Sequence, residues 1–434
     1  MALEEYRKDM LRCTRCSCCK FIPLLSIPKS KRFSYCCPAV TRYNFHSYSG
    51  SGKVICALSL IEGRIEYTDR LLHIIYNCTL CGACDLSCRI GTQIEVLEIL
   101  HELRVKCFRD GKAPLPGHRP ILESVRNYDN VWMQPRSRRT SWARGLGLKD
   151  LSRDRAEVLF FVGCTYSLDP GLQGVARKTA LILQKAGVDF GILGEKEPCC
   201  ASPVYTIGDE QFFGQLARRN IDRLNSLGVK TVVTSCAGCY SMLKAHYPQL
   251  GEPLRFRVLH TIELLEELLH EGRITASIPV PMKVTYHDPC HLGRLSEPRV
   301  PSHGKETKIL GTLVVKETEK VLGFGGVFDP PRTVLRSIPG IELAEMERTR
   351  EYSWCCGSGA GVKSAFPEFA LWTAAERLEE ARATGAQALA SCCPWCEKNL
   401  KDGASGGKGP QDPLPVYDVV DLLYRSLEGV EHRV

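Results

Sequence analysis

The sequence predicts an α/β protein made of two pseudo-repeated parallel halves, preceded by a small, mainly helical, cysteine-rich module. Three observations predict this. Short apolar runs alternate with helical stretches from about residue 156 onward, the layout of parallel α/β layers. That layout occurs twice, over about 156–275 and 276–434. Ahead of it, residues 1–111 carry roughly half of the chain's 23 cysteines on short apolar pieces.

The elements follow in order. Residues 112–155 are rich in Pro, Gly, Arg and Ser (APLPGHRP, QPRSRRTS) and read as a basic linker. VLFFVG (158–163) has the continuous apolar character of a buried parallel strand. GLQGVARKTALILQKAG (171–187) has helical spacing and stops at Gly187. VDFGIL reads as a strand, 209–227 as a helix and VKTVVTS (229–235) as a strand. In the second half KVTYH (283–287) and AQALAS (386–391) are strands and FALWTAAERLEEARATG (369–385) is a helix. PVYDVVDLLYRSL (415–427) is predicted to close the chain as an amphipathic helix.

Composition narrows the class. A hydrophobic share of 44% and a charged share of 24% over 434 residues are ordinary for a folded protein of several domains, and argue against long disorder. No apolar run approaches the roughly 18–20 residues that cross a bilayer. MALEEYRKDM has no apolar core with a cleavage site, so the expected location is cytoplasmic, where thiols stay reduced. Residues 1–155 hold 26 Lys and Arg against 15 Asp and Glu, whereas the remainder holds 31 against 34. The basic third, with Arg136, Arg138, Arg139 and Arg144, reads as a solvated linker or as charge facing anionic metal clusters or an acidic redox partner. Nucleic acid is not the expected partner.

The cysteine pattern carries the chemistry. Disulfide frameworks belong to small secreted domains, so clustered cysteines here point to metal. CTLCGACDLSC places Cys78, Cys81, Cys84 and Cys88 at C-x2-C-x2-C-x3-C spacing, and CTRCSCC supplies Cys13, Cys16 and Cys19 at C-x2-C-x2-C. Three thiolates this close wrap one face of a [4Fe–4S] cube, and in two-cluster ferredoxins the fourth ligand comes from the other motif. The reading is therefore an N-terminal bis-[4Fe–4S] ferredoxin-type domain over 1–111. One cubane takes Cys13, Cys16, Cys19 and Cys88; the other takes Cys78, Cys81, Cys84 and Cys37. Cys37 is preferred to Cys36 because Cys37-Pro38 reproduces a Cys-Pro ending. The alternative is structural zinc, which usually pairs two separated CxxC units.

The two α/β halves repeat a pattern of five. Cys164 is followed by Cys199-Cys200 and then Cys236-Ala-Gly-Cys239; Cys290 is followed by Cys355-Cys356 and then Cys393-Pro-Trp-Cys396. Each cysteine falls after an expected strand or in a short turn, and in a parallel layer those carboxyl ends converge on one crevice. Five thiolates from three loops can then surround one large cluster. Cys18, Cys36, Cys56, Cys107 and Cys392 are read as packed spares.

GCTYSLDPG, TSCAGCY, HDPCHLGR, VFDPPRTVLRSIPG and SWCCGSGAG resemble the cysteine-rich CCG domains found in the B-type and D-type subunits of heterodisulfide reductases, and the whole chain resembles the D type. The resemblance implies one or two noncubane [4Fe–4S] clusters, iron held by the same cysteines, and reduction of a disulfide. Related chains serve electron transfer in lactate or glycolate oxidation and in acyl-CoA oxidoreduction. Two departures stand out. Ala201 follows Cys199-Cys200 where the family has Gly, and residues 295–326 read as a surface insertion.

The expected function is an iron–sulfur oxidoreductase or electron-transfer subunit. A flavoprotein, a ferredoxin-like donor or a membrane cytochrome or quinone module is its expected redox partner, and that partner can hold it at the inner face of a membrane. The chain has no strand-linked GxGxxG, so no flavin or NAD is expected on it. His287 and His291, flanking Cys290, are candidate proton donors, and the alternative is that they only hydrogen-bond backbone. Asp288 is read as a cap. The rival from another class is a zinc-stabilised interaction protein.

Overall fold

The computed structural model describes residues 2–23, 30–92, 94–298, 306–309, 313–316, 323–406 and 414–428. The N-terminal module is helical, with Gly50–Ile61, Asp69–Tyr76, Ala83–Gly91 and Val96–Arg109 as its larger elements. Ser49 and Thr68 cap two of these helices by accepting from the backbone N–H of Gly52 and Leu71. Val96, Ile99, Leu100 and Leu103, spaced at three and four residues, turn one stripe of the last helix into a core shared with Val54, Ala57, Leu71 and Ile75.

Nine strands form two parallel sheets. The first contains β1 (Lys149–Asp150), β2 (Val158–Phe161), β3 (Phe190–Ile192), β4 (Thr231–Thr234) and β5 (Arg257–His260), in the order β1-β3-β2-β4-β5. The second half opens with β6 (Met282–Tyr286). Its insertion contributes an antiparallel pair, β7 (Glu306–Ile309) and β8 (Leu313–Lys316), outside the main sheet. The sheet is completed by β9 (Ile341–Ala344), β10 (Ala388–Ser391) and β11 (Val416–Asp418), in the order β11-β10-β6-β9.

The repeat is now explicit. Setting aside edge strand β1 and the β7–β8 pair, the first strand of each half (β2, β6) sits inside the sheet, the second (β3, β9) pairs on one side, the third (β4, β10) crosses to the other side and the fourth (β5, β11) lies beyond it. The reversal between the first and third strands is the topological switch point, where ligands of open α/β sheets bind. Leu159 pairs with Val232 and Phe160 with Val233 at that point in one half, and Val284 with Ala388 in the other. These central strands are covered on both faces, which is why they read as unbroken apolar runs.

Three expectations are corrected. Residues 112–155 are not a solvated linker: they form the helix Arg119–Tyr128, the 3-10 stretch Arg136–Ala143 and edge strand β1, paired with β3. Leu122, Val125, Trp142 and Leu151 are buried in the main core, and Arg139 is buried in an ion pair with Glu197 at 2.9 Å. Apolar burial decides the fate of the segment, and its basic composition hides that. The closing element begins as strand β11 before the helix Val419–Ser426, because the Asp418 carboxylate accepts from Val420 N–H and starts the helix there. RVLH (257–260) adds β5, which was not anticipated. Half of the expected insertion, residues 299–305, 310–312 and 317–322, lies outside the described residues. At its base the Glu297 carboxylate accepts from the N–H of Gly323 and Gly325 at 2.6 and 3.0 Å.

Arg104 joins the three modules. It is fully buried, and its guanidinium donates to the carbonyls of Thr206 in the first half, Ala360 in the second and Cys78 in the N-terminal module, at 2.9, 2.9 and 2.5 Å. Arg104→Ala strands three buried acceptors at about 1–3 kcal/mol each if they stay dry. The expected outcome is a melting midpoint lower by several degrees and faster proteolysis of the N-terminal module; unchanged values contradict the role.

Candidate metal centres

The N-terminal thiols are gathered by left-handed backbone. Leu80 and Gly82 have φ of 47° and 77°, curling Cys78, Cys81 and Cys84 around one point before the helix Ala83–Gly91 starts. Cys37, just ahead of the short helix Pro38–Tyr43, closes the fourth side, and all four line one small cavity with Leu97, Leu100 and Phe369. Arg15 and Ser17, with φ of 59° and 67°, curl Cys13, Cys16 and Cys19 in the same way. Cys88, from the far end of the same helix, faces Cys13 and Cys19. Ser51 N–H donates to Cys19 Sγ at 3.3 Å and Cys13 Sγ donates to Ser51 Oγ at 3.4 Å. One helix thus sends Cys84 to one group of four and Cys88 to the other.

The five-cysteine groups lie at strand ends. Gly163, at φ 77°, turns the chain out of β2 into Cys164; Cys236 and Cys239 open the helix after β4, and Cys199 and Cys200 follow β3. In the second half Cys290 follows β6, Cys355 and Cys356 follow β9, and Cys393 and Cys396 follow β10. Thiol contacts run Cys164–Cys199–Cys200–Cys239–Cys236 and Cys290–Cys355–Cys356–Cys396–Cys393. Two more join the groups: Cys236 meets Cys393 across the halves, and Cys81 meets Cys355 across the N-terminal boundary. Contact with Cys199 and then Cys239 lowers Cys200 to about 6, and contact with Cys355 lowers Cys81 to about 6.

Ala201 takes the left-handed φ of 62° that a glycine would adopt freely, at a cost of about 1 kcal/mol or more, so the turn is kept despite the methyl group. Its counterpart Gly357 has no such latitude: at φ 96° a Cβ would lie 2.5 Å from the Ala370 carbonyl oxygen.

The histidines differ in role. His287 Nδ1 accepts from Arg377 Nε at 3.1 Å, which leaves the ring proton on Nε2. That Nε2 is buried without a partner among the described residues, and the ring lies within 4.8 Å of the Cys356 and Cys396 thiols. His287 is thus a fixed N–H donor aimed at the five-cysteine group. His291 Nδ1 lies 3.3 Å from Cys290 Sγ; burial lowers its pKa, but the neighbouring thiol prevails and raises it. Asp288 does not cap: it forms a bidentate pair with Arg332 at 2.7 and 3.0 Å and accepts from Arg350 N–H.

Sequence reasoning missed the buried cations. Lys53, Arg104 and Arg294 are nearly inaccessible and face Cys37, Cys78 and Cys81 respectively. Among the described residues none of the three has a carboxylate partner, whereas Arg139, Arg332, Arg348 and Arg377 all do. An unpaired buried cation is costly. An anionic cluster held by four thiolates removes that cost, so the donor set, the surrounding charge and the orphan N–H of His287 fit iron–sulfur groups. An arginine within an apolar helical stripe, as at Arg104, was the available signal.

Of the spare cysteines, Cys18 is exposed beside Cys16, Cys36 is buried against Cys81 and Cys355, and Cys56 is half-buried. Cys107 packs near Tyr67 and Cys392 near Tyr286. A cavity of about 360 Å³ opens between the halves onto Cys290, Cys355, Cys356, Cys393 and Cys396. Trp132 and Trp395 stack at its edge with ring centres 5.5 Å apart.

A duplicated α/β scaffold that collects five cysteines per half defines a protein with two cysteine-rich domains, and the cysteine-rich domain model matches residues 158–244 and 322–401. The chain belongs to the family of heterodisulfide reductase D-type subunits, which are iron–sulfur oxidoreductase components. It is 33% identical to the D-type subunit of dihydromethanophenazine:CoB–CoM heterodisulfide reductase from Methanosarcina mazei, over 96% of this chain and 94% of that one. The protein of the same name from Methanosarcina acetivorans is 31% identical over 96% and 93%. EtfAB:quinone oxidoreductase of Syntrophomonas wolfei is 28% identical over 82% of this chain, which spans 46% of its length.

The two turn positions are tested as a pair. Gly357→Ala is expected to cost at least about 2 kcal/mol through strain and to remove iron from one centre. Ala201→Gly is expected to change stability by no more than about 1 kcal/mol and to leave iron unchanged. Iron analysis and thermal melts check both.

Proposed function

We propose that this chain is the disulfide-handling electron-transfer subunit of a multi-subunit redox complex. In this reading Cys13, Cys16, Cys19 and Cys88 hold one cubane [4Fe–4S] cluster and Cys37, Cys78, Cys81 and Cys84 a second. Cys164, Cys199, Cys200, Cys236 and Cys239 hold one noncubane cluster, and Cys290, Cys355, Cys356, Cys393 and Cys396 another. The carrying observation is the unbroken line of thiols from Cys81 through Cys355 to the inter-half cavity, with Cys393 and Cys236 extending it into the first half. When bound, such clusters exchange electrons one at a time.

The residues around the cavity supply the remainder of the chemistry. Cleaving R–S–S–R′ to two thiols consumes two electrons and two protons. The cavity has the volume of a small-molecule site, and Ile121, Val131, Trp132 and Pro203 give it an apolar wall. His291 is the group placed to hold a proton beside Cys290, whereas His287 is committed to orientation through Arg377. Electrons reach the N-terminal module from a redox partner. Cys16 and Cys18 are exposed there, beside Arg15 and Lys20, which suits an acidic partner surface. Among the described residues no helix is long and apolar enough to cross a membrane, so contact with a quinone pool would go through that partner.

The likeness to EtfAB:quinone oxidoreductase favours a second reading, electron transfer between a flavoprotein and a quinone without disulfide chemistry. Anaerobic assays with reduced viologen separate the two. The first reading expects viologen oxidation that depends on added disulfide and falls at least tenfold in Cys356→Ser. Iron-replete protein that ignores disulfides and reduces a quinone analogue supports the second, and colourless protein carrying zinc overturns both.

A further inference from the structure

Arg294 stands where two groups of cysteines meet. It is 5% exposed and follows Cys290 by four residues in HDPCHLGR. Its Nε donates to the Cys81 carbonyl at 3.0 Å, and its Nη1 donates to the carbonyls of Glu351 and Ser353 at 2.8 and 2.6 Å. The guanidinium therefore bridges the turn that carries Cys81 to the loop that leads into Cys355. The approach is close: a Cβ on Gly82 would lie 2.8 Å from Leu295 Cδ2.

Two features of this arginine go beyond its carbonyl contacts. Its charge has no carboxylate partner among the described residues; the groups facing it are the thiols of Cys81, Cys290, Cys355 and Cys36. Its Nη2 is buried and has no hydrogen-bond partner among the described residues. Each costs free energy in an apolar interior, and Arg104, the other buried arginine without a carboxylate partner among the described residues, likewise keeps an idle Nε and likewise faces a cysteine, Cys78. Both features become favourable when anionic sulfur lies on each side.

We propose that Arg294 is an electrostatic tuning residue shared by two metal centres, raising the reduction potential of the centre at Cys37, Cys78, Cys81 and Cys84 and of the centre at Cys290, Cys355, Cys356, Cys393 and Cys396 together. A fixed positive charge favours the more negative, reduced state of any group beside it, and an N–H donated to sulfur acts in the same direction. Because one charge serves both, the two potentials move in step and stay matched. The guanidinium is the suitable cation, since its planar fork makes three carbonyl contacts and still leaves an edge for sulfur.

The proposal rests on the cluster assignment above, and the test separates the two. Iron and sulfide are measured first in the wild-type chain; their absence removes the assignment and the proposal with it. In iron-replete protein, EPR-monitored redox titrations compare wild type, Arg294→Gln and Arg294→Lys. The expected result is a shift to lower potential at both centres in Arg294→Gln, partial return in Arg294→Lys, and no shift at the centre of Cys13, Cys16, Cys19 and Cys88. Unmoved potentials in iron-replete Arg294→Gln overturn the proposal while leaving the assignment intact. If Arg294→Gln loses iron, Arg294→Lys decides: potentials near the wild-type values support the charge role, and a full downward shift or loss of iron there reduces Arg294 to a structural clamp.

Discussion

Thiolates brought together in a protein interior repel one another, and burial makes each harder to ionise, so a chain concentrates them only where something else carries the balance. Here the balance is visible as cations in the wrong company. Lys53, Arg104 and Arg294 are buried against Cys37, Cys78 and Cys81 with no carboxylate facing them among the described residues. The same chain pairs its other buried arginines with acids, as in Arg348 with Glu380 at 2.9 Å. Charge that is paired elsewhere and unpaired beside the cysteines ties the packing of the core to metal chemistry.

The scaffold explains how distant cysteines meet. Each half places its first and third strands side by side, so the loops leaving them emerge together and bring Cys164 near Cys236 and Cys290 near Cys393. The second strand flanks the first and delivers the vicinal pair from the side. Repeating this layout and pressing the halves together sets Cys236 against Cys393. Packing the helical module on top sets Cys81 against Cys355. Arg104 holds the three bodies in that arrangement through carbonyls of each.

Much of this was legible because cysteine spacing and strand periodicity are strong local signals. VLFFVG and AQALAS announced buried strands, and the two patterns of five located the loops at their ends. What escaped depended on tertiary context. QPRSRRTS looks like a solvated connector until Arg139 finds Glu197 and Trp142 finds the core. PVYD was absorbed into a helical pattern because one carboxylate, that of Asp418, decides where the helix begins. The tautomer of His287 is set by Arg377, which lies 90 residues away along the chain. Arg294 was visible in HDPCHLGR, yet nothing in that string tells a buried cation from a surface one.

Magnetic coupling between centres tests the central claim most directly. If the thiol line is a single path for electrons, anaerobic protein reduced in steps will show iron–sulfur EPR signals that broaden or split as neighbouring centres become paramagnetic together. Signals that stay magnetically isolated at every stage of reduction would contradict the account.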